Sequence, residues 1–253
     1  MGKRQRLDLL LVERQLVASR EEGRRRILAG EILVNRQPVT KAGNLIDSAA
    51  PITVKDSPPY VSRGGVKLEK ALHEFAIEVG GKNAIDIGAS TGGFTDCLLV
   101  HGAAKVIAVD VGYGQLDWKL RNDPRVVVLE KTNIRYLEPA SLPFVPELAT
   151  IDASFISLKL ILPKVRSLIS TDATVVALIK PQFEVGKGKV GKGGVVRSAE
   201  EHSRVIDEIS RVALDCGYRV LAVTESPLLG PKGNKEFLLH LTMNSFAPGA
   251  SAA

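Results

Sequence analysis

Seven short runs of apolar, mostly β-branched residues constrain this chain most; they lie at 84–87, 106–109, 126–129, 148–151, 174–179, 218–223 and 237–242. Runs of this length suit strands covered on both faces. Helix-length stretches separate the first six, and that alternation predicts an α/β fold around a seven-stranded, mostly parallel, Rossmann-like sheet. Between the last two runs the chain carries Gly and Pro in place of a helical pattern, which leaves the final strand free to insert antiparallel. No internal repeat is visible.

The first sixty or so residues read differently. Leu7, Leu10 and Leu11 share one helical face over 6–15, and Ser19 followed by Glu22 is a capping-box signature for a second helix, which Gly30 ends. Short strands at 32–34 and 51–54 flank the turn-forming Asn35-Arg36-Gln37-Pro38. Arg20 and Arg24 stand one turn apart with Arg25 and Arg26 beside them, so their guanidinium groups project together toward anything that bears phosphates. Residues 1–64 hold 12 Lys and Arg against 7 Asp and Glu, leaving 22 against 21 in the rest. A polyanion-binding surface is therefore expected at the N-terminal end. The Pro- and Gly-rich stretch that follows predicts a linker at 60–65, dividing a domain over 1–59 from a larger one over 66–246, with a flexible tail at 247–253.

Two cysteines, Cys97 and Cys216, have no partner at metal-ligand spacing, so neither a disulfide framework nor a metal site is expected, and a reducing cytoplasm fits best. No run approaches the ~20 apolar residues of a membrane helix, and the N-terminus carries no signal-peptide core.

After the first run of the sheet the chain reads Asp86-Ile-Gly88-Ala89-Ser90-Thr91-Gly92-Gly93-Phe94, and the second run leads to Asp110. Ligands of open α/β sheets sit outside the carboxyl ends of the strands, beside such glycine turns. A pyrophosphate would want glycine where Asp86 stands. A carboxylate there repels phosphate but can pair with a ligand ammonium, and Asp110 has the position of a carboxylate that accepts from ribose hydroxyls. Together they favour a nucleoside that carries an amino acid, and S-adenosylmethionine is that ligand.

Two other patterns compete for this region. Gly88-Ala-Ser90-Thr-Gly92 satisfies the G-x-S-x-G of a hydrolase nucleophile elbow, but the only later histidines are His101, His202 and His240, and no His-Gly-Gly segment precedes the serine. The glycines and lysines of 186–193 miss a phosphate-binding loop because Gly193 replaces the magnesium-binding Ser or Thr, and a basic, substrate-facing loop is the better reading.

The strings Ser62-Arg63-Gly-Gly-Val-Lys67-Leu, Asp152-Ala-Ser-Phe-Ile-Ser-Leu158 and Ile179-Lys180-Pro-Gln-Phe-Glu-Val-Gly186, with the segments 86–97, 109–116, 121–135 and 230–237, follow one another through most of the larger domain. In them the chain resembles the TlyA family of ribosomal RNA 2′-O-methyltransferases, whose catalytic domain is FtsJ-like. Arg6-Leu-Asp8, Ser19-Arg20-Glu21, the 29–35 segment and Lys41 resemble the alpha-L RNA-binding motif, with Gly23 and Gln37 in place of the commoner alanine and glycine. The resemblance implies an S-adenosylmethionine-dependent methyltransferase behind a small α+β RNA-binding domain, acting on cytidine ribose in the RNA of assembled ribosomal subunits. Its Lys-Asp-Lys-Glu tetrad falls on Lys67, Asp152, Lys180 and Glu236. The implied cofactor contacts are Asp86, Gly88, Ala89, Ser90, Thr91, Gly92, Gly93, Phe94, Asp110, Val111, Glu130, Asn133 and Asp152. The implied RNA contacts are Lys3, Arg4, Arg6, Arg20, Arg24, Arg25, Lys41 and Arg63.

Chemistry explains the tetrad. Methylating a ribose hydroxyl is an in-line displacement at a sulfonium methyl, and the hydroxyl must lose its proton as the bond forms. A neutral amine can take it. Lysine amines, ordinarily near ~10.4, become neutral through desolvation and a neighbouring cation; Lys67 is the cation expected beside Lys180, with Asp152 and Glu236 orienting the two amines. Base methylation would call for a cysteine nucleophile or an Asn/Asp-Pro-Pro-aromatic segment, whose place Lys180-Pro181-Gln182-Phe183 takes. A non-catalytic RNA-binding assembly factor has no need of the tetrad, and a haemolysin-like role lacks a spanning or strongly amphipathic cationic segment. Phe94 packs either on the cofactor or in a helix core, Cys97 and Cys216 are expected as small buried hydrophobes, and Tyr113 and Trp118 either stack on a base or pack internally.

Overall fold

The computed structural model describes residues 4–28, 30–54, 59–186, 190–191 and 193–243. They fall into two compact units, Met1–Pro58 and Pro59–Ala253.

In the N-terminal unit β1 (Arg4–Arg6) runs straight into α1 (Leu7–Glu13), and α2 (Arg20–Leu28) follows. The Ser19 hydroxyl accepts from the Glu22 amide at 3.1 Å, and the Glu22 carboxylate accepts from the Ala18 amide at 2.9 Å, so the capping box closes one residue early on its return side. Gly30, at φ +70°, ends α2 in the left-handed conformation that glycine adopts without strain. β2 (Ile32–Val34) turns through Asn35 and Arg36 into β3 (Gln37–Pro38). Both turn residues have positive φ, the geometry that matches strand twist in a two-residue hairpin. β4 (Leu45–Asp47) pairs antiparallel with β1, and β5 (Ile52–Val54) with β2. Leu7, Leu11, Val17, Ile27, Ile32 and Val34 form the core.

The second unit holds β6 (Asn83–Ile87), β7 (Lys105–Val109), β8 (Val126–Leu129), β9 (Leu148–Ile151), β10 (Thr174–Ile179), β11 (Tyr218–Glu225) and β12 (Phe237–Met243). They form one sheet in the order β11-β12-β10-β9-β6-β7-β8. β12 is antiparallel to both its neighbours, and β6 to β10 are mutually parallel. The helices are α3 (Gly64–Glu74), α4 (Gly93–Val100), α5 (Trp118–Arg121), α6 (Leu158–Leu168), α7 (Pro181–Glu184) and α8 (Ala199–Asp215).

Residues alternate between two apolar layers. Ile85, Ile87, Val175, Ala177 and Ile179 join α6 and α8, while Ala84, Val106, Val176 and Leu178 join α3 and α4. That period of two, with both faces covered, is why the strands read as continuous apolar runs. From the central pair β6 and β9 the chain winds outward in opposite senses, through β7 and β8 on one side and β10 on the other. A crevice opens at the carboxyl ends where that winding reverses.

The expected linker at 60–65 is corrected. Tyr60 is buried, the Val61 amide donates to Asp96 at 2.9 Å, and α3 already begins at Gly64. A Cβ on Gly65 would sit 2.2 Å from the Tyr60 ring. Proline and glycine mark irregular backbone, and here that backbone is packed. The proposed tail at 247–253 lies outside the described residues.

Candidate active site

β6 delivers the chain to the crevice, and the turn after it is built from left-handed residues: Gly88 at φ +83°, Ser90 at +50° and Gly92 at +96°. Glycine is required at 88, because a Cβ there would lie 2.8 Å from the Asp152 carbonyl oxygen. The turn therefore lies directly against the end of β9. Asp110, after β7, accepts from the Ser90 amide at 2.8 Å and from the Gly112 amide at 2.7 Å. Beside it lies a cavity of about 520 Å³ whose wall includes Gly88, Ser90, Asp110, Val111, Thr132, Asn133, Ile134 and Ile161. Apolar side chains next to a fixed carboxylate and an amide suit a nucleoside, with the base in the apolar part and the diol at the carboxylate.

A second cavity, of about 280 Å³, shares Gly88, Ser90, Asp152 and Ser154 with the first and extends toward α3 and the segment before β12. Lys67, Asp152, Lys180 and Glu236 all line it. They arrive from four places: α3, the end of β9, the end of β10 and the start of β12. Because β12 is antiparallel, with Phe237 opposite Ile179, its first residues lie at the carboxyl edge of the other strands. Lys67 Nζ is 2.5 Å from Glu236 Oε2, and Lys180 Nζ is 2.7 Å from Asp152 Oδ1. All but Asp152 are buried. Lys180 also donates to Ser154 Oγ at 2.8 Å and to the Asp152 carbonyl at 3.3 Å.

Among the described residues two carboxylate oxygens of this wall are buried without a hydrogen bond. Asp152 Oδ1 is at ion-pair distance from Lys180 but off a hydrogen-bonding direction, and Glu236 Oε1 has no donor. Glu236 Oε1 occupies the space a Cβ on Gly230 would need, 2.0 Å away, so Gly230 admits the carboxylate to the wall. Unsatisfied buried acceptors next to two amines fit a ligand that brings donors of its own, as the ammonium and hydroxyls of a nucleoside amino acid do. Glu184 ties the two loops together from beneath. Buried at the end of α7, it accepts from the Leu158 amide at 2.9 Å and from the Ser157 hydroxyl.

Other expected positions scatter more widely. Ala89, Thr91, Gly93, Phe94 and Arg63 line the smaller cavity, and Phe94 also packs in the core between α3 and α4. Asp86 lines neither cavity, is fully buried, and accepts from Thr95 at 2.7 Å and Thr150 at 3.0 Å. Burial pushes its carboxyl up to about 7, against the pull of the two hydroxyls. A strand residue before the turn points to the α4 face of the sheet, away from the ligand edge. Glu130 stands after β8. It lines neither cavity, and holds Arg121 at 2.5 Å and the Gly114 amide at 2.8 Å. Gly92 also lines neither, and glycine is needed there, since a Cβ would meet Leu120 at 2.2 Å.

Sequence reasoning missed Ser154, Gln115 and Thr132, which line the cavities, and the segment 228–231 that closes the smaller one. Tyr113 and Trp118 are exposed, Cys97 is buried, and Cys216 is partly so. The hydrolase alternative fails on geometry. His101 contacts the Cys97 carbonyl, His202 the Val196 carbonyl, and His240 stacks on Phe75, so none lines the wall with Ser90. Part of 186–193 lies outside the described residues.

In the N-terminal unit Asp8 is fully buried under three arginines: Arg6 at 3.0 Å, Arg20 at 2.9 Å and Arg24 at 4.0 Å. Hydrogen bonding from Arg6 first, and from Arg20, holds its carboxyl down at about 2. Arg4, Arg25 and Lys41 are exposed on the same unit, whereas Arg63 belongs to the other. Lys3 lies outside the described residues.

Comparison with known proteins agrees with this architecture. A family described as FtsJ-like methyltransferase matches residues 60–243, and one described as S4 domain matches residues 5–49. The chain is 48% identical over 243 residues to the 16S/23S rRNA (cytidine-2′-O)-methyltransferase TlyA of Mycobacterium tuberculosis, covering 95% of this chain and 91% of the relative. It is 53% identical over 242 residues to YqxC of Bacillus subtilis, named as a candidate rRNA methyltransferase, covering 95% of this chain and 86% of that one. A solved structure from Streptococcus thermophilus, named as a candidate hemolysin, matches with a TM-score of 0.74 at 44% identity, covering 96% of this chain and 90% of that chain. A seven-stranded sheet with one reversed strand, four converging tetrad residues and these relatives lead to one conclusion: the chain belongs to the TlyA family, an FtsJ-like, S-adenosylmethionine-dependent methyltransferase domain preceded by an S4 domain.

Proposed function

We propose that this methyltransferase modifies the ribose 2′-hydroxyl of a cytidine in ribosomal RNA, in the cytoplasm, with ribosomal subunits as its partners. One observation carries the reading: two lysine–carboxylate pairs from four separate elements share the wall of one cavity, next to a larger one walled by Asp110 and Asn133. The name of the Mycobacterium tuberculosis relative, 48% identical, supports the nucleotide and the hydroxyl.

S-adenosylmethionine supplies an electrophilic methyl group on a sulfonium sulfur. Asp110 and Asn133 would hold its nucleoside and the Gly88 turn its amino-acid end. Lys180 takes the proton of the ribose hydroxyl, and Asp152 keeps the amine beside the junction of the two cavities. Lys67, held by Glu236, supplies positive charge on the same wall. Arg63 stands at the substrate side, while Lys3, Arg4, Arg6, Arg20, Arg24, Arg25 and Lys41 grip phosphates of the RNA without reading its sequence. In this reading the RNA-binding domain ends near residue 58 and the catalytic domain begins with Tyr60.

The test is transfer of a labelled methyl group to ribosomal RNA within isolated subunits, followed by alkaline cleavage. A ribose methyl leaves one cytidine resistant, and a methylated base leaves none. Lys180→Ala should lower kcat by about 10²–10⁴-fold with cofactor affinity retained. Full activity in that variant would remove the proton-transfer role.

A further inference from the structure

We infer that Ser154 is a positioning residue for the methyl transfer, aiming the Lys180 amine at the junction of the two cavities. The inference rests on the proton-accepting role proposed for Lys180.

The shortest hydrogen bond Lys180 makes is to Ser154 Oγ, at 2.8 Å; the other runs to the Asp152 carbonyl at 3.3 Å, and the Asp152 carboxylate is close but misdirected. A charged lysine amine has three N–H donors and a neutral one keeps two, so Ser154 Oγ and the Asp152 carbonyl can accept from either state. With those two N–H groups held, the lone pair of the neutral amine is left in the remaining direction, free for the proton of a hydroxyl. Ser154, which accepts the shorter of the two hydrogen bonds, thus sets where that lone pair points.

Its location supports the same role. Ser154 lines both cavities, as Asp152 does, and is itself exposed. Its backbone is fixed on the C-terminal side, where Glu184 accepts from Leu158 and Ser157, and on the other side by Asp152 at the end of β9. Glu184 belongs to the turn that follows Lys180, so the hydroxyl and the amine are carried by two loops bound to each other.

The experiment is steady-state methylation of ribosomal subunits by the full chain and its Ser154→Ala, Ser154→Thr and Lys180→Ala variants, with cofactor binding and thermal midpoint measured for each. Ser154→Ala should lose about tenfold in kcat, the effect of one hydrogen bond to a charged group, with KM for RNA, cofactor affinity and midpoint unchanged. Ser154→Thr, which keeps the hydroxyl, should recover most of the loss. Unchanged kcat in Ser154→Ala, a loss confined to KM, or a Thr variant as slow as Ala would each overturn the inference. If Lys180→Ala is inactive while Ser154→Ala is normal, only this inference fails; if Lys180→Ala is fully active, the proton-transfer reading fails with it.

Discussion

Asp8 in the N-terminal unit and Asp86 in the methyltransferase unit are both closed off from solvent, yet their carboxyls shift in opposite directions. Asp8, shallow in its small unit and bonded to arginines, is held down at about 2; Asp86, deep in the larger unit, is pushed up by burial to about 7 although two threonine hydroxyls pull the other way. Loss of solvent contact alone therefore does not decide whether a carboxylate is charged. Depth and the charge of the partners decide together. A surface meant for phosphates crowds arginines together, and a buried anion beneath them offsets their mutual repulsion and fixes where they point. Inside the sheet, with hydroxyls for hydrogen-bond partners, the other carboxyl is raised instead.

The contrast is best broken at Asp8. Asp8→Ala should cost the N-terminal unit about 3 kcal/mol, read by chemical denaturation, because several charge-assisted contacts are lost together, each discounted for the half-exposed arginine that makes it. RNA affinity should fall while cofactor affinity holds; an unchanged denaturation midpoint would mean the arginines do not depend on Asp8.

Asp86→Asn tests the other side with a smaller effect. The folded value, about 7, lies above the ordinary 3.8, so between those pH values the folded state keeps a proton the unfolded chain has released. Stability is full below about pH 4, declines as pH rises to about 7 and is level beyond. The asparagine variant should lack that decline and be more stable than the parent at pH 8 by on the order of 2 kcal/mol. For Asp8 the sign is reversed: its contribution is present above about pH 4 and lost as pH falls toward 2. Equal pH slopes for Asp86→Asn and parent would show that Asp86 is charged in both states.

The smallest effect sharpens the comparison without touching either carboxylate. Gly23 lies in α2 between Arg20 and Arg24, and an added Cβ would find ordinary contact with Val17 at 3.4 Å and Leu11 at 3.5 Å. Gly23→Ala should stabilise the unit by about 0.5–1 kcal/mol. A destabilised variant would show that α2 has no room for the methyl group.

How far the sequence carried depended on whether a residue's environment leaves a pattern. The seven strands lie within two residues of the apolar runs, since burial on both faces imposes such runs directly. β1 and β4 escaped notice because three residues of mixed polarity, half exposed, carry no period. The tetrad was legible through motifs, and its meeting in one cavity follows from the reversed β12. Asp86 and Glu130 stand near strand ends as their spacing indicates, but neither lines a cavity, because spacing does not encode side-chain direction. Ser154 was overlooked because a serine inside a longer motif advertises neither charge nor periodicity.

The reversal of β12 separates two kinds of freedom in the catalytic unit. Most residues facing the larger cavity come from the ends of β6, β7, β8 and β9 and the loops after them, whereas 228–231 and Glu236, which precede β12, border only the smaller one. Changes of length or composition between β11 and β12 can thus reshape the smaller cavity while leaving the larger one intact, provided Gly230 and Glu236 keep their places.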